Sequence, residues 1–352
     1  MEGTHILVRE QGALGRLTLN RPNALNALTL PMCETVLRAL SDWEDDPDIA
    51  AILIDAVPGR AFCAGGDIRA VYDLGRAGDP RVLDFFTTEY RMNAAIAGCA
   101  KPYISILNGA VMGGGAGISV HGRFRVATEN TVFAMPETAI GFFPDVGGSF
   151  FLSRCPGAIG MYLGLTGLRI DGADMRYAGL ATHYLPAARN AELVSRLIGG
   201  EEPDHALAAL SVDGAGSRLR ENRAAIDRVF GAASVEKILI GLTAEKDWGT
   251  EITQLLRTRS PTSLSLVHRQ LREGATRDLA GCLEMELGIA AKVLKGHDFY
   301  EGVRAALVDK DQTPHWCPAT IEDVDAEEIN RFFQSPMCSP ADQIGTVQLR
   351  SR

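Results

Sequence analysis

Two acidic residues, Glu137 and Asp145, stand in a segment that is otherwise apolar or small, FAMPETAIGFFPDVGG at 133–148. Burying a carboxylate is costly unless it has a partner or a task, so such a pair is a candidate for acid–base or nucleophilic chemistry. Proline and glycine lie beside both residues, which would equally suit carboxylates that cap helices. The spacing alone leaves both interpretations open.

Two glycine-containing segments precede this pair, CAGGDI at 63–68 and NGAVMGGGAG at 108–117. Taken alone, the first is simply a strand-to-helix connection with Asp67 near the helix N-terminus. In the second, consecutive glycines start a helix at a cost of roughly 1 kcal/mol each relative to alanine, which suggests that something must approach the backbone closely. Backbone N–H groups beside such small residues can form an oxyanion hole, and the second segment suits an anion-accepting helix terminus.

Other catalytic motifs are missing from the sequence. No Gly-Lys-Ser/Thr follows the glycines and Ile118 interrupts a GxGxxG pattern, so neither a P-loop nor a dinucleotide site is predicted. Ser119 does not lie in GxSxG, and His121 is predicted to be a packed or capping residue. There is no HExxH and no acidic cluster with the spacing of a cation loop, so the sequence predicts no metal.

The elements that must position these residues alternate between strand-like and helix-like patterns in the first half of the chain. Apolar runs or period-two alternation predict strands, and a helical face begins at Leu30. The predicted strands are 14–20, 50–56, 103–107, 124–127 and 131–134. Strand, helix and strand in succession predict an α/β layered fold.

Beyond about Gly147 the strand patterns fade and helical patterns replace them, at 204–210, 218–230, 263–272 and 279–294. The stretch 199–216, rich in Gly, Asp and Ala, is the candidate boundary. We therefore predict a first part, 1–197, that carries the site, and a mainly helical second part, 198–352. Periodicity is lost from about Ser335, and this end is predicted to fray.

Composition narrows the class of protein. A net charge of −9 argues against a nucleic-acid binder, which needs a basic face. No apolar run approaches the roughly 18 residues that span a bilayer, so no membrane partner is predicted. Seven scattered cysteines without a CxxC pair indicate reduced thiols. Together with a start that lacks a signal or transit pattern, they predict a cytoplasmic location.

The segments CAGGDI, NGAVMGGG and MPETAIGFFPDVGG, in this order, resemble the enoyl-CoA hydratase/isomerase (crotonase) superfamily, as does the opening LTLNRPNALNAL. This resemblance covers roughly the first 190 residues. It implies a β/α spiral of repeated ββα units followed by a helical C-terminal region.

A finer resemblance, to the 3-hydroxyisobutyryl-CoA hydrolases, extends over nearly the whole chain. It rests on AFCAGGDIRAVYD, SVHGRFRVATE, FAMPETAIGFFPDVGGSFFL, SPTSLSLVHRQL and GHDFYEGVRAALVDKDQTPHW. Hydratases of the superfamily typically carry one glutamate just after the GGG run and another in the PE segment. This sequence keeps Glu137 but has Gly117 at the first position, and it has Asp145 where hydratases usually carry glycine. Both departures favour hydrolysis over hydration.

The resemblance implies a role for five residues. The amides of Gly66 and Gly114 would form the oxyanion hole, Glu137 and Asp145 would be the catalytic carboxylates, and Glu89 would contact the substrate. The substrate would be a short 3-hydroxyacyl-CoA, most simply 3-hydroxyisobutyryl-CoA of valine breakdown, and no cofactor is expected. Basic residues that could contact the phosphates of coenzyme A are Arg21, Arg60, Arg69 and Lys101.

Alternatives remain at this point. The chain could be a hydratase or isomerase of the same superfamily, or a non-catalytic CoA-binding or assembly protein. Members of the crotonase superfamily commonly form trimers or pairs of trimers, so the resemblance implies a trimer-based homo-oligomer. The distinct C-terminal region could block that packing, so a monomer is the alternative.

Overall fold

The computed structural model describes residues 5–214 and 216–334. Ten strands form two sheets. The strands are β1 (Ile6–Gln11), β2 (Leu14–Leu19), β3 (Ala51–Ala56), β4 (Ala61–Cys63), β5 (Tyr103–Leu107), β6 (Ala110–Met112), β7 (Phe124–Ala127), β8 (Val132–Ala134), β9 (Ile170–Asp171) and β10 (His183–Tyr184).

Helices follow the strands and then dominate the second half. They are α1 (Leu30–Glu44), α2 (Ile68–Arg76), α3 (Val82–Gly98), α4 (Gly114–Val120), α5 (Gly148–Phe151), α6 (Ile159–Thr166), α7 (Gly172–Tyr177), α8 (Asn190–Ile198), α9 (Pro203–Leu210), α10 (Arg218–Glu221), α11 (Arg223–Phe230), α12 (Val235–Leu242), α13 (Lys246–Arg257), α14 (Pro261–Gly274), α15 (Leu279–Val293), α16 (Asp298–Val303) and α17 (Ala326–Phe333). Short 3₁₀ turns lie at Pro22–Ala24, Glu137–Ile140, Leu152–Arg154, Ala187–Arg189 and Ile321–Asp323, and a π turn at Arg304–Val308.

The chain alternates between the two sheets as it advances. The larger sheet has the order β1-β2-β3-β5-β7-β10 and is parallel except for the β1–β2 hairpin. The smaller has the order β4-β6-β8-β9, parallel except for β8–β9. Successive strand pairs, β3 with β4, β5 with β6 and β7 with β8, place one strand in each sheet, and this is the predicted spiral of ββα units. The α/β, crotonase-like fold is confirmed.

Most predicted elements agree with the structure within one or two residues. Strands β5 and β7 have the predicted bounds. Nearly every side chain in each of these short runs is buried, and polar or glycine residues follow them. The predicted helix 218–230 is two helices, α10 and α11, which meet at Asn222, whose side chain donates to the Arg218 carbonyl. Strands β4 and β6, three residues each, are too short to have a readable period.

The C-terminal helices pack directly against the first part of the chain. Helix α15 lies on α3, and α14 lies on α5 and α6. Leu271 and Leu287 belong to the same buried cluster as Phe86 and Phe142. Full burial of such side chains contributes about 1.5–3 kcal/mol each. This packing brings C-terminal side chains to the segments that carry Glu137 and Asp145. The predicted fraying beyond Ser335 lies outside the described residues.

Candidate active site

Two glycine turns meet at the ends of neighbouring strands. Strands β4 and β6 are parallel partners in the smaller sheet, so their carboxyl ends emerge side by side. The chain leaves β4 through Gly65 and Gly66, and it leaves β6 through Gly113 into α4, which begins at Gly114. A β-carbon placed on Gly114 would lie 3.2 Å from the amide nitrogen of Gly66. The two predicted amides are therefore next to each other.

Glycine is required at this junction for conformation and for space. Gly65 and Gly113 have φ angles of 118° and 48°, which L-residues rarely adopt. A β-carbon on Gly66 would lie 2.9 Å from the Phe85 ring, and one on Gly114 would overlap Glu89 Oε1. Within residues 5–214 and 216–334, neither the Gly66 nor the Gly114 amide has a hydrogen-bond acceptor. Both are free to donate to a ligand.

Three acidic side chains face these amides. Glu137 begins a 3₁₀ turn just after β8, Asp145 lies in the loop that follows, and Glu89 lies on α3. Their exposed fractions are 7%, 5% and 2%, so all three are buried. Together with Gly66 and Gly114 they line one cavity of about 160 Å³. The structure thus brings all five predicted site residues together.

Burial keeps protons on this acidic cluster. Desolvation raises the pKa of Asp145 to about 7, although the hydrogen bond from Tyr90 opposes the rise. Desolvation also raises the pKa of Glu137 well above its usual value, and the charge of Asp145 adds to the rise. The pKa of Glu89 is raised by desolvation and then by the charges of Asp145 and Glu137. The hydrogen bond from Tyr90 favours the ionised form of Asp145, and a negative charge on Asp145 makes ionisation of the other two harder.

The three acidic side chains differ in their hydrogen-bond partners. The Tyr90 hydroxyl donates to Asp145 Oδ2 at 2.8 Å, which fixes that carboxylate. By contrast, Glu89 Oε1 and Glu137 Oε2 are buried without a hydrogen-bond partner among the described residues. Buried polar atoms are rarely left unpaired, so these two oxygens are available to a substrate or to water. The arrangement offers two N–H donors and two unused carboxyl oxygens around one small cavity.

The space beside α4 has no room for a second glutamate from that helix. A β-carbon on Gly117 would lie 2.6 Å from Val146 Cβ and 2.8 Å from Asn93 Nδ2. Asn93 is itself fully buried, and neither of its amide atoms has a hydrogen-bond partner among the described residues. Asn93 and Val146 therefore occupy the place that a hydratase-type glutamate at this position would need.

Sequence reasoning missed residues that complete the cavity. Tyr90 adjoins Glu89 on a helix whose buried positions lie on several sides, so no apolar stripe singled it out. Phe85, Phe86 and Phe142 form the apolar wall and read in the sequence as ordinary core residues. His121 is packed as predicted, with Nε2 at 2.7 Å from the Val146 carbonyl oxygen. Its pKa is lowered to about 4, chiefly by burial, so it is neutral.

The basic residues suggested for coenzyme A differ in their surroundings. Arg21 pairs with Asp67 at 2.8 Å, and Arg69 pairs with Asp73 at 3.1 Å on the surface. Lys101 donates to the Asp46 carbonyl. Arg60 is exposed and carries no ion pair within the described ranges. Arg21 is linked to the glycine turn, because its partner Asp67 caps α2 directly after Gly66.

Two other features, a metal-binding cluster and a membrane-spanning helix, are absent from the described residues. Over the described residues, no three His, Cys, Asp or Glu side chains are grouped to hold a metal ion. No helix in that part of the chain is both long and apolar enough to cross a bilayer.

Comparisons with known proteins agree with this geometry. The family model for enoyl-CoA hydratase/isomerase matches residues 14–333. A Gallus gallus protein named 3-hydroxyisobutyryl-CoA hydrolase, mitochondrial, is 45% identical over 94% of this chain and 88% of its own length. The Homo sapiens protein of the same name is 42% identical over 94% of this chain and 88% of its own length.

Solved structures give the same fold under different names. A structure described as a carnitinyl-CoA dehydratase from Mycobacterium thermoresistibile has a TM-score of 0.92 and 39% identity, covering 96% of this chain and 98% of its own. One described as an enoyl-CoA hydratase from Rhodobacter sphaeroides 2.4.1 has a TM-score of 0.90 and 38% identity, covering 97% and 99%.

The predicted cytoplasmic location is wrong, because the curated relatives are named as mitochondrial proteins. The prediction rested on reduced cysteines and on the lack of a leader pattern. Reduced thiols do not distinguish the two compartments here, and a leader is a segment apart from the folded enzyme. Neither observation carries information about where the folded chain works.

The extent of the family match and the identity to these relatives leave one assignment. The chain belongs to the enoyl-CoA hydratase/isomerase (crotonase) superfamily and, within it, to the family of the 3-hydroxyisobutyryl-CoA hydrolases.

Proposed function

We propose that this protein hydrolyses 3-hydroxyisobutyryl-CoA to 3-hydroxyisobutyrate and coenzyme A. The observation that carries the proposal is the single cavity in which the free amides of Gly66 and Gly114 face Glu89, Glu137 and Asp145. Relatives that are 45% and 42% identical to this chain over 94% of its length are named for that reaction. Thioester hydrolysis needs an oxyanion hole, a nucleophile and a proton acceptor, and each has a candidate here.

The two glycine amides stabilise the charge that develops on the thioester oxygen. Attack on the carbonyl carbon converts that oxygen to an oxyanion, and a preorganised donor at this point is worth about 10²- to 10³-fold in rate. Both amides belong to backbone held by parallel strands, so no reorganisation is needed when the charge appears.

Glu137 supplies the nucleophile by one of two routes. In the first, a carboxylate oxygen bonds to the acyl carbon, the C–S bond breaks with its electron pair on sulfur, and an enzyme anhydride forms. Water then attacks the glutamyl carbon of the anhydride as Asp145 takes its proton, and the 3-hydroxyisobutyrate carboxylate leaves with the electron pair of the broken C–O bond. In the second route, Glu137 takes the proton from water, which attacks the acyl carbon directly. The unpartnered Glu137 Oε2 suits either route.

Isotope labelling separates the two routes. After a single turnover in ¹⁸O water, mass spectrometry of the peptide that contains Glu137 shows whether its carboxylate carries label. We expect label if an anhydride forms and water attacks its glutamyl carbon. Label in the released acid alone favours direct attack by water.

Glu89 and the apolar wall suit a short acyl group with a hydroxyl. The unpaired Glu89 Oε1 is the candidate partner of the 3-hydroxyl, while Phe85, Phe86 and Phe142 surround the carbon chain. A 3-hydroxypropionyl thioester differs by one methyl, which such a pocket distinguishes by only about 1–3 kcal/mol. We therefore expect measurable turnover of both thioesters.

A thiol-release assay tests the proposed reaction against its nearest alternative. Purified protein with 3-hydroxyisobutyryl-CoA should release free thiol, whereas crotonyl-CoA should keep its enoyl absorbance. Rapid hydration of crotonyl-CoA without thiol release from 3-hydroxyisobutyryl-CoA would assign the protein to the hydratases. Names of the structural neighbours favour that alternative. The crowding of Gly117 by Asn93 and Val146 argues against it.

The rate of hydrolysis is expected to rise with pH across the neutral range. Asp145 has a pKa of about 7, and that of Glu137 is raised well above its usual value, so both gain their active, ionised form as pH increases. In Asp145→Asn, the charge that raises the pKa of Glu137 is absent, so the residual activity should rise at lower pH. A kcat profile from pH 5 to 9 checks this; a profile that falls over this range would contradict it.

We further propose that the reaction needs no cofactor and that its two reactants are the acyl-CoA and water. A trimer-based homo-oligomer and a monomer both remain predictions. The alternative from another functional class is a non-catalytic protein that binds coenzyme A or serves as an assembly partner. It predicts that Glu137→Gln leaves the cellular role intact, whereas the hydrolase predicts that the role is lost.

A further inference from the structure

The loop that carries Asp145 has a strained backbone. Val146 has a φ angle of 53°, in the left-handed region, although its branched side chain disfavours that conformation. Such strain persists only where the surroundings hold the backbone firmly, and it clusters at functional sites. Val146 directly follows Asp145, so its conformation fixes the path of the backbone next to Asp145.

Three side chains, two of them fully buried, hold this loop. The Gln270 amide donates to the Pro144 carbonyl at 2.6 Å, and His121 lies 2.7 Å from the Val146 carbonyl. Glu286 makes the most bonds. It accepts from the Gly147 amide at 2.7 Å, the Ser149 amide at 2.8 Å and the Ser149 hydroxyl at 2.5 Å.

Glu286 has no other task in the described structure. It lies on α15, has no solvent exposure, and forms no ion pair within residues 5–214 and 216–334. Burying an acid without a cation is costly, and burial raises its pKa to about 8. The donors from Gly147 and Ser149 offset that cost, since bonds to an acidic acceptor are strong. A residue kept at this cost, 139 positions from the loop it holds, needs a reason.

We propose that Glu286 is a positioning residue for catalysis, which holds the 145–149 loop so that Asp145 meets the Tyr90 hydroxyl and faces the acyl carbon. The proposal rests on the proposed hydrolase function. Glu286 acts through the backbone of Gly147 and Ser149 and does not touch the substrate. A helix of the C-terminal region thereby completes a site built on the first part of the chain.

Glu286→Gln tests the proposal with little change in shape. The side-chain oxygen of glutamine can accept from one of the two backbone donors, but its NH₂ group faces the other. One of the hydrogen bonds that fix the loop is therefore lost. A shift of about 1 Å in a catalytic group can cost about 10²-fold, so we expect kcat to fall by about that factor. KM should change by no more than about threefold, because the amides and walls that bind substrate are untouched.

Glu284→Gln is the matched control, because it makes the same change on the exposed side of the same helix. It should behave like the wild type. A crystal structure of Glu286→Gln should show the Tyr90–Asp145 hydrogen bond lengthened or lost. Wild-type kcat in folded Glu286→Gln, or a fall confined to thermal stability, would overturn the proposal.

A second variant keeps the test decisive if Glu286→Gln does not fold. Ser149→Ala removes the hydroxyl donor and keeps both amides, so kcat should fall by about 2- to 10-fold with KM unchanged. Unchanged kcat in that variant would count against the proposal. Failure of the proposed function is distinguishable, because the wild-type protein itself would then release no thiol.

Discussion

Glu137→Gln is expected to lower kcat for thioester hydrolysis by about 10²- to 10⁴-fold, the range that a positioned base or nucleophile contributes. The amide keeps the size of the side chain but can neither attack the acyl carbon nor accept a proton from water. The cavity walls and the two glycine amides are unchanged, so substrate binding should persist. Steady-state kinetics with 3-hydroxyisobutyryl-CoA measures the effect.

The same substitution should not weaken the fold. The folded-state pKa of Glu137 is raised, so its ionisation above the unfolded pKa costs stability, and a neutral amide removes that cost. We therefore expect the Tm of Glu137→Gln at pH 8 to equal or exceed that of the wild type. The exposed Glu34 gives a matched control, Glu34→Gln, which should leave kcat unchanged. Full activity in Glu137→Gln would remove this residue from the mechanism.

Gly114→Ala is expected to reduce kcat by about 10²- to 10³-fold, the value of one oxyanion-hole donor. The added methyl would overlap Glu89 Oε1 and lie 3.2 Å from the Gly66 amide nitrogen, so it would fill the space that the thioester oxygen needs. Alanine keeps its backbone N–H, so the effect is a loss of the oxyanion's access to the two amides.

Gly288→Ala is the matched control for this substitution. Gly288 lies in α15, and a β-carbon there would have no atom within 4 Å. Alanine should stabilise that helix by about 0.5–1 kcal/mol and leave kcat unchanged. If Gly114→Ala retained wild-type kcat, the thioester oxygen could not bind in the space between the Gly114 and Gly66 amides.

Local sequence patterns indicated the candidate site residues but not the contacts that place them. Glu137, Asp145 and the glycine segments were recognisable because acids in apolar runs and glycines at helix starts are locally costly. Tyr90 had no such signal, since a tyrosine on a helix buried on several sides reads as core.

Local sequence patterns do not predict contacts between residues that are far apart in the chain. The bonds from Gly147 and Ser149 to Glu286 span 139 and 137 positions, and the packing of α15 on α3 and α5 brings them together. The division of the chain at 197/198 stays a prediction. The cellular location could not follow from the fold at all, since targeting is not a property of the packed core.

A crystal structure of Glu137→Gln with 3-hydroxyisobutyryl-CoA bound would test the arrangement most directly. We expect the thioester oxygen to lie about 2.7–3.1 Å from both the Gly66 and Gly114 nitrogens. We also expect the side chains at positions 137 and 145 to face the acyl carbon. A thioester oxygen bound away from the two amides, or both side chains turned away from that carbon, would contradict it.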